Sequence, residues 1–249
     1  MEDHIINNIQ HIAGTKKKQL AILVDPDKAS ADHILSLCEN AKKANANFFL
    51  VGGSLLTDGN IDETVLALKK NTNIPVIIFP GSSSQISAHA DGILFLSLLS
   101  SRNPEMLIGQ QVISAPYLRK TNVEIISTAY LLIDSGEQTT ASYISNSQPI
   151  PANKSEIAAC TALAGEYMGM NLIYLDGGSG AKNPVSAEMI SKVRSYTTKP
   201  IIIGGGINTI EKASSALSAG ADIIVIGNAI EKNPDFCQSL GELILEMNN

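Results

Sequence analysis

A chain of 249 residues, 44% hydrophobic and 17% charged, has the apolar content for a large core and too little charge to stay disordered. Its 18 basic and 24 acidic residues leave a net charge of −6, which excludes a generic nucleic-acid-coating role, because neutralising phosphates needs clustered Lys and Arg. No apolar run approaches the roughly 20 residues of a membrane span, and residues 1–10 lack the basic-then-apolar order of a secretion signal, so a cytoplasmic protein with at most transient membrane contact is expected.

Apolar strand-like runs recur along the chain at 20–24, 48–51, 75–79, 92–96, 123–127, 172–175, 200–203 and 222–226. Most are continuously apolar rather than alternating, the habit of strands buried on both faces in a parallel sheet. Helices are expected between them. Residues 58–71 place Ile61, Val65 and Leu68 on one face, and 184–196 do the same with Val185, Met189 and Val193. Pro184 suits a first helical turn. The stretch 209–219 ends at Gly220, a C-terminal cap. Eight strands alternating with helices, without a Pro, Gly or Ser-rich linker, predict an α/β fold, a single (β/α)8 TIM-barrel domain over 1–249. A doubly wound open sheet is the alternative.

Two links are irregular. Residues 80–91 are Ser-rich, open on Pro80-Gly81 and leave little room for a helix, so the third barrel helix is expected to be missing or shortened. Residues 134–151 are polar and aperiodic and follow the fifth strand, where a long loop can act as a lid. Cys38, Cys160 and Cys237 are far apart and read as buried small hydrophobes; no disulfide framework or zinc spacing is present. His4 and His11 belong to a leading amphipathic stretch and read as surface residues.

Barrel enzymes carry their chemistry at the C-terminal strand ends. The sixth strand ends in Tyr174-Leu175-Asp176-Gly177-Gly178-Ser179-Gly180, the seventh in Gly204-Gly205-Gly206, and the eighth in Gly227-Asn228. Glycine lets backbone N–H groups approach a phosphate without a Cβ in the way, and the loops after strands seven and eight are a common phosphate site. The first strand ends in Asp25-Pro26-Asp27-Lys28. Asp27 or Ser30 can cap the helix that follows, whereas Asp25 directly ends a buried strand and reads as a hard-oxygen ligand for Mg²⁺, with Ser54 of Gly52-Gly53-Ser54 within reach on the neighbouring strand. No G-x-S-x-G or P-loop is present.

These motifs, in this order and spacing over about residues 19–235, resemble the geranylgeranylglyceryl phosphate synthase family. The resemblance implies a TIM barrel lacking a normal third helix. It implies a Mg²⁺-dependent prenyltransferase that joins sn-glycerol 1-phosphate to a polyprenyl diphosphate such as geranylgeranyl diphosphate, and a homo-oligomer. By the family pattern Asp25 and Ser54 match the metal positions. Tyr174, Leu175, Asp176, Gly177, Gly178, Ser179, Gly180, Gly205, Gly206, Gly227 and Asn228 match the glycerol-phosphate positions, with Asp176 as the acid–base group. The chain departs from the pattern at Leu23, where some relatives carry Lys, and at Asp176, where many carry Glu; Lys28 is an alternative source of positive charge. A prenyl tail cannot enter a packed barrel core, so it is expected to leave between strands two and four beside the shortened link, with Phe95 and Tyr130 as wall residues and Ser83 and Ser87 facing it. Two other readings share the glycine-rich ends: another phosphate-binding barrel isomerase or thiamin-phosphate-type synthase, and a catalytically silent phosphate-binding module.

Overall fold

A computed structural model describes residues 4–233 and 235–249. Among these, eight parallel strands, β1 (Gln19–Val24), β2 (Phe48–Val51), β3 (Val76–Ile78), β4 (Gly92–Leu98), β5 (Glu124–Leu132), β6 (Leu172–Asp176), β7 (Ile201–Gly204) and β8 (Ile223–Ile226), close into a barrel in sequence order. The expected (β/α)8 architecture is therefore present. β5 runs five residues beyond the expected end at 127, because Thr128–Leu132 keep pairing with β4 and β6.

Alternation along each strand divides the core in two. Ala21, Leu50, Ile77, Leu94, Ile126, Tyr174, Ile202 and Val225 fill the barrel interior. Their neighbours Ile22, Val51, Ile78, Leu175, Ile203 and Ile226 face outward into the shell under the helices. Both faces are buried, which is why the strands read as continuous apolar runs.

Four helices of that shell begin on side-chain caps. Ser30 opens α2 (Ala31–Lys43), Asn60 opens α3 (Ile61–Asn71), Ser186 opens α7 (Ala187–Arg194) and Thr209 opens α8 (Ile210–Ser218). Pro184 thus precedes α7 rather than occupying its first turn: Ser186 accepts the Met189 N–H, and a capping hydroxyl marks the start. α4 (Gln110–Leu118) follows a π-type turn at Glu105–Gly109, and α6 (Ser155–Tyr167) precedes β6. Cys38 and Cys237 are buried as expected, but Cys160 is exposed, because it falls on the outer face of α6 while Ala158, Ala159 and Ala162 take the inner one.

Residues 79–91 contain no helix, so the outer ring is open between α3 and α4. The stretch 134–151 contains the short helix α5 (Thr140–Ile144), started by a reciprocal capping box between Thr139 and Ser142, and its base is closed by an Ile133–Ile150 bridge. α9 (Asn228–Lys232) and α10 (Asp235–Met247) complete the chain after β8.

The leading stretch forms α1 (Ile5–Gly14), which seals the N-terminal end of the barrel. Ile9 is buried among the interior side chains, and Ile5 and Ile6 pack beside it. The Glu124 carboxylate accepts the first free N–H groups of this helix, from Ile5 at 2.6 Å and Ile6 at 2.9 Å. Ile9→Ala is expected to destabilise the protein by about 2–5 kcal/mol, the usual cost of emptying a buried aliphatic site, as read from chemical denaturation.

Candidate active site

The inward parity of β1 and β6 carries beyond the apolar core to the mouth. Ala21 and Leu23 lead to Asp25; Leu172 and Tyr174 lead to Asp176. Asp25, Ser54, Tyr174, Asp176, Gly178, Ser179, Gly180, Gly205, Gly206, Gly227 and Asn228 meet at one cavity of 440 Å³ at the C-terminal strand ends. Two residues of the expected set do not line it. The Leu175 side chain points outward into the shell, and the Gly177 N–H is spent on Gly204 O at 3.0 Å.

Asp176 lies at the floor, 6% exposed. Tyr130 Oη donates to its Oδ2 at 2.6 Å, and the Gly178 N–H donates to Oδ1 at 2.7 Å. Burial pushes the Asp176 carboxyl above its ordinary pKa, while these two bonds pull the other way. Burial and the neighbouring Asp176 raise Tyr130 far above the usual phenol value, so it serves as a donor and not a base. Phe79 stacks on Tyr174 at 5.1 Å and meets Tyr130 edge-on at 5.8 Å, which makes an aromatic floor beside the carboxylate.

The glycines above Asp176 are dictated by contact. Gly205 has φ +80°, and a Cβ there would come within 2.7 Å of Gly178 N. Gly206 has φ +72°, and a Cβ would come within 2.7 Å of Pro184 N. The β6 and β7 exits therefore press backbone on backbone and leave a concave surface without side chains. Asn228 Nδ2 lies 3.4 Å from Ser179 Oγ, and Lys28 Nζ 3.4 Å from Asn228 Oδ1, so a cation stands at the rim of the cradle. Leu23, which also lines the cavity, brings no charge.

On the opposite side, Asp25 Oδ1 accepts the Asp27 N–H at 3.1 Å and faces the Gly53-Ser54 backbone. Among the described residues no group of three His, Cys, Asp or Glu side chains can cage a metal. One carboxylate and one hydroxyl suit Mg²⁺, which fills its shell with substrate phosphate and water. Asp27 does not cap α2; Ser30 does. Asp27 instead accepts the N–H groups of Thr57, Asp58 and Gly59, and those of Thr57 and Gly59 chiefly hold its carboxyl at about 2. It thereby fixes the loop that follows Ser54. The sequence pointed to Asp27 only as a candidate helix cap within the motif, and to Tyr130 only as a wall residue. Their partners lie 30 and 46 residues away.

From the Asp25 side the cavity continues over the barrel rim. Leu94, Leu96 and Leu98 line it from inside β4, and Ile93 and Phe95 from its outer face. An outward side chain can reach a cavity here because no helix covers the link between β3 and β4. Ser83, Ile86, Met106, Gln110, Ala141 and Ile144 complete the walls. Ser87 does not join them; it is buried and donates to Asp62 at 2.5 Å.

A closed barrel with a glycine-walled hollow and a buried carboxylate at the C-terminal strand ends is the plan of a (β/α)8 enzyme. The PcrB family model matches residues 13–244. The geranylgeranylglyceryl phosphate synthase of Spirosoma linguale is 50% identical over 232 residues, covering 93% of each chain, and that of Chitinophaga pinensis is 47% identical over 98% of this chain and 97% of its own. The (S)-3-O-geranylgeranylglyceryl phosphate synthase of Thermoplasma acidophilum, solved in complex with its substrate sn-glycerol-1-phosphate, superposes with a TM-score of 0.90 at 35% identity, over 97% of this chain and 98% of that one. The chain belongs to the PcrB family, and it is an enzyme of the geranylgeranylglyceryl phosphate synthase type.

Tyr130→Phe removes a bond that favours ionised Asp176. The Asp176 carboxyl, already raised by burial, is expected to rise further, and the acid limb of the kcat/KM profile is expected to move up in pH. The kcat is expected to fall about tenfold, matching the loss of one bond to a charged group. A pH-rate series on both proteins reads this.

Proposed function

We propose that the enzyme joins sn-glycerol 1-phosphate to a polyprenyl diphosphate, with geranylgeranyl diphosphate as the reference donor, and releases diphosphate. The carrying observation is one continuous cavity with a side-chain-free anion cradle at one end and an apolar groove over the barrel rim at the other. An isomerase of a small sugar phosphate has no use for that groove, and a silent binding module has no use for a buried, oriented carboxylate.

In this reading the acceptor phosphate is held by backbone N–H groups around Ser179, Gly205, Gly206 and Asn228, while the Gly178 N–H stays on Asp176. Tyr174 forms the floor; Leu175 and Gly177 contribute backbone only. Asp176 accepts the proton of the attacking glycerol hydroxyl as its oxygen bonds to the allylic carbon and the carbon–oxygen bond to diphosphate breaks. Tyr130 and Gly178 fix the direction in which Asp176 accepts. Asp25 and Ser54 would hold Mg²⁺, which when bound neutralises charge growing on the leaving diphosphate. Much of the gain is positioning, since both reactants are confined to one cavity. We place the enzyme in the cytoplasm as a homo-oligomer; no helix among the described residues is long and apolar enough to cross a membrane.

The test is a product assay with donors of 10 to 35 carbons and labelled glycerol 1-phosphate, read by mass. A Mg²⁺-dependent, lipid-soluble phosphate is expected, with most turnover lost in Asp25→Asn. Absence of such a product with every donor overturns the reading.

The groove makes a separate forecast. Each buried CH₂ contributes about 0.8 kcal/mol, so tail length and affinity are linked along its walls. Ser83→Trp, in the helix-less link, is expected to depress kcat/KM for long donors more than for short ones. Equal losses at all lengths would move the tail elsewhere.

A further inference from the structure

We infer that Gln85 is the positioning residue for the diphosphate and metal end of the site: its buried carboxamide fixes the β2 exit loop, and with it Ser54. The inference rests on the donor reading above.

The helix-less link after β3 does more than open the barrel wall. It lies directly on the loop after β2. A Cβ on Gly52 would collide with Phe79 O, and one on Gly81 would collide with Gly53 O. Two glycine-walled contacts therefore let these backbones touch. Gln85, 4% exposed, bolts them together. Its Nε2 donates to Gly53 O at 2.8 Å, while its Oε1 accepts from Gly53 N at 3.3 Å and Gly81 N at 3.1 Å. The carboxamide thus pairs with Gly53 as one peptide group pairs with another, and spends its second lone pair on the link itself.

The chemistry singles out glutamine. Asn is one methylene too short for this span. Glu accepts from both N–H groups but sets an oxygen against Gly53 O. Met leaves two part-buried N–H groups and one carbonyl unpaired. Gly53, Ser54, Gly81 and Ser82 all line the cavity, and Asp25 faces Gly53. The loop that Gln85 holds is therefore the one that carries Ser54 into the cavity that Asp25 also lines. The link has other anchors: Ser87 on Asp62 at 2.5 Å, and Asp91 accepting from Val76 N at 2.8 Å. Loss of Gln85 thus frees the β2 exit loop selectively and leaves the ends of the link pinned.

The experiment follows binding, apart from turnover. Mn²⁺ with inorganic pyrophosphate is titrated by electron paramagnetic resonance, sn-glycerol 1-phosphate by calorimetry, and amide exchange at Gly53 and Gly81 is measured in metal-free protein. Gln85→Met is expected to weaken Mn²⁺–pyrophosphate binding about tenfold or more, the equivalent of one lost bond to a buried group. It is also expected to expose both amides to exchange and to change glycerol 1-phosphate affinity less than twofold. Ser87→Ala, in the same link but not bonded to the β2 loop, should leave Mn²⁺–pyrophosphate binding at the parent value. Gln85→Glu keeps the shape and both accepting bonds. Its defect should shrink relative to the parent as pH falls, because a protonated carboxyl regains a donor toward Gly53 O.

Equal Mn²⁺–pyrophosphate binding in parent and Gln85→Met overturns the inference while the donor reading stands. So does a parallel loss of both ligands, or unfolding of both Gln85 variants, since either would make the residue a support of the whole fold. No Mn²⁺–pyrophosphate uptake by the parent overturns the donor reading and this inference together.

Discussion

A carboxylate buried at the floor of a largely apolar barrel is the constraint around which this molecule is arranged. Desolvation opposes the ionised form of Asp176, and two donors oppose desolvation. One comes from the neighbouring strand, as Tyr130 Oη; the other from the chain's own next turn, as the Gly178 N–H. Both need the residues around them to be small or flat. A Cβ on Gly204 would come within 2.5 Å of Tyr174 Oη, so the packed ring beside Asp176 requires a glycine at the end of β7. The same carboxylate therefore selects an aromatic floor below and glycine above.

The cradle follows from that close packing. With Gly205 against Gly178 and Gly206 against Pro184, the surface above Asp176 is made of peptide groups. Such a surface binds an anion through N–H dipoles and needs few lysines, which agrees with an acidic chain and with Leu23 at a lining position. Two lysines border this surface: Lys212 Nζ donates to Gly206 O at 3.4 Å, and Lys28 reaches it through Asn228, from β1 to β8 across the seam where the barrel closes.

Removal of one barrel helix changes the meaning of a strand. On β1, β2, β6, β7 and β8 the outward residues are covered by helices and belong to the shell. On β4 the outward Ile93 and Phe95 border a cavity, because residues 79–91 cross the gap without a helix. A groove that starts inside the mouth and continues over the outer surface of a strand can take an extended apolar tail without disturbing the packed interior. The missing packing is replaced by polar bonds from Gln85, Ser87 and Asp91 of the link to the β2 exit loop, helix α3 and strand β3 beside it.

The alternation of apolar runs determined the eight-strand barrel, since strands buried on both faces must be apolar throughout and the intervening segments carry helical spacing. The glycine clusters and Asp25 were legible for a similar reason: they sit at strand ends, and strand ends are where a barrel puts its mouth. Local sequence did not reveal which inward residues would pair. Tyr130 and Asp176 are 46 residues apart, Gln85 and Gly53 are 32 apart, and Asp27 and Gly59 are 32 apart. Nor did it separate Ser83 from Ser87 in a run of serines, or place Cys160 on the wet face of α6. Each of those outcomes depends on barrel closure, which brings neighbouring strand exits within hydrogen-bonding distance and fixes which face of each segment meets protein. The sequence by itself determined the eight strands, the glycine-rich strand ends and the gap in the helical ring. Only the tertiary structure decided the partners of the buried polar groups, because a hydrogen bond is set by an approach of about 3 Å that spacing along the chain does not encode.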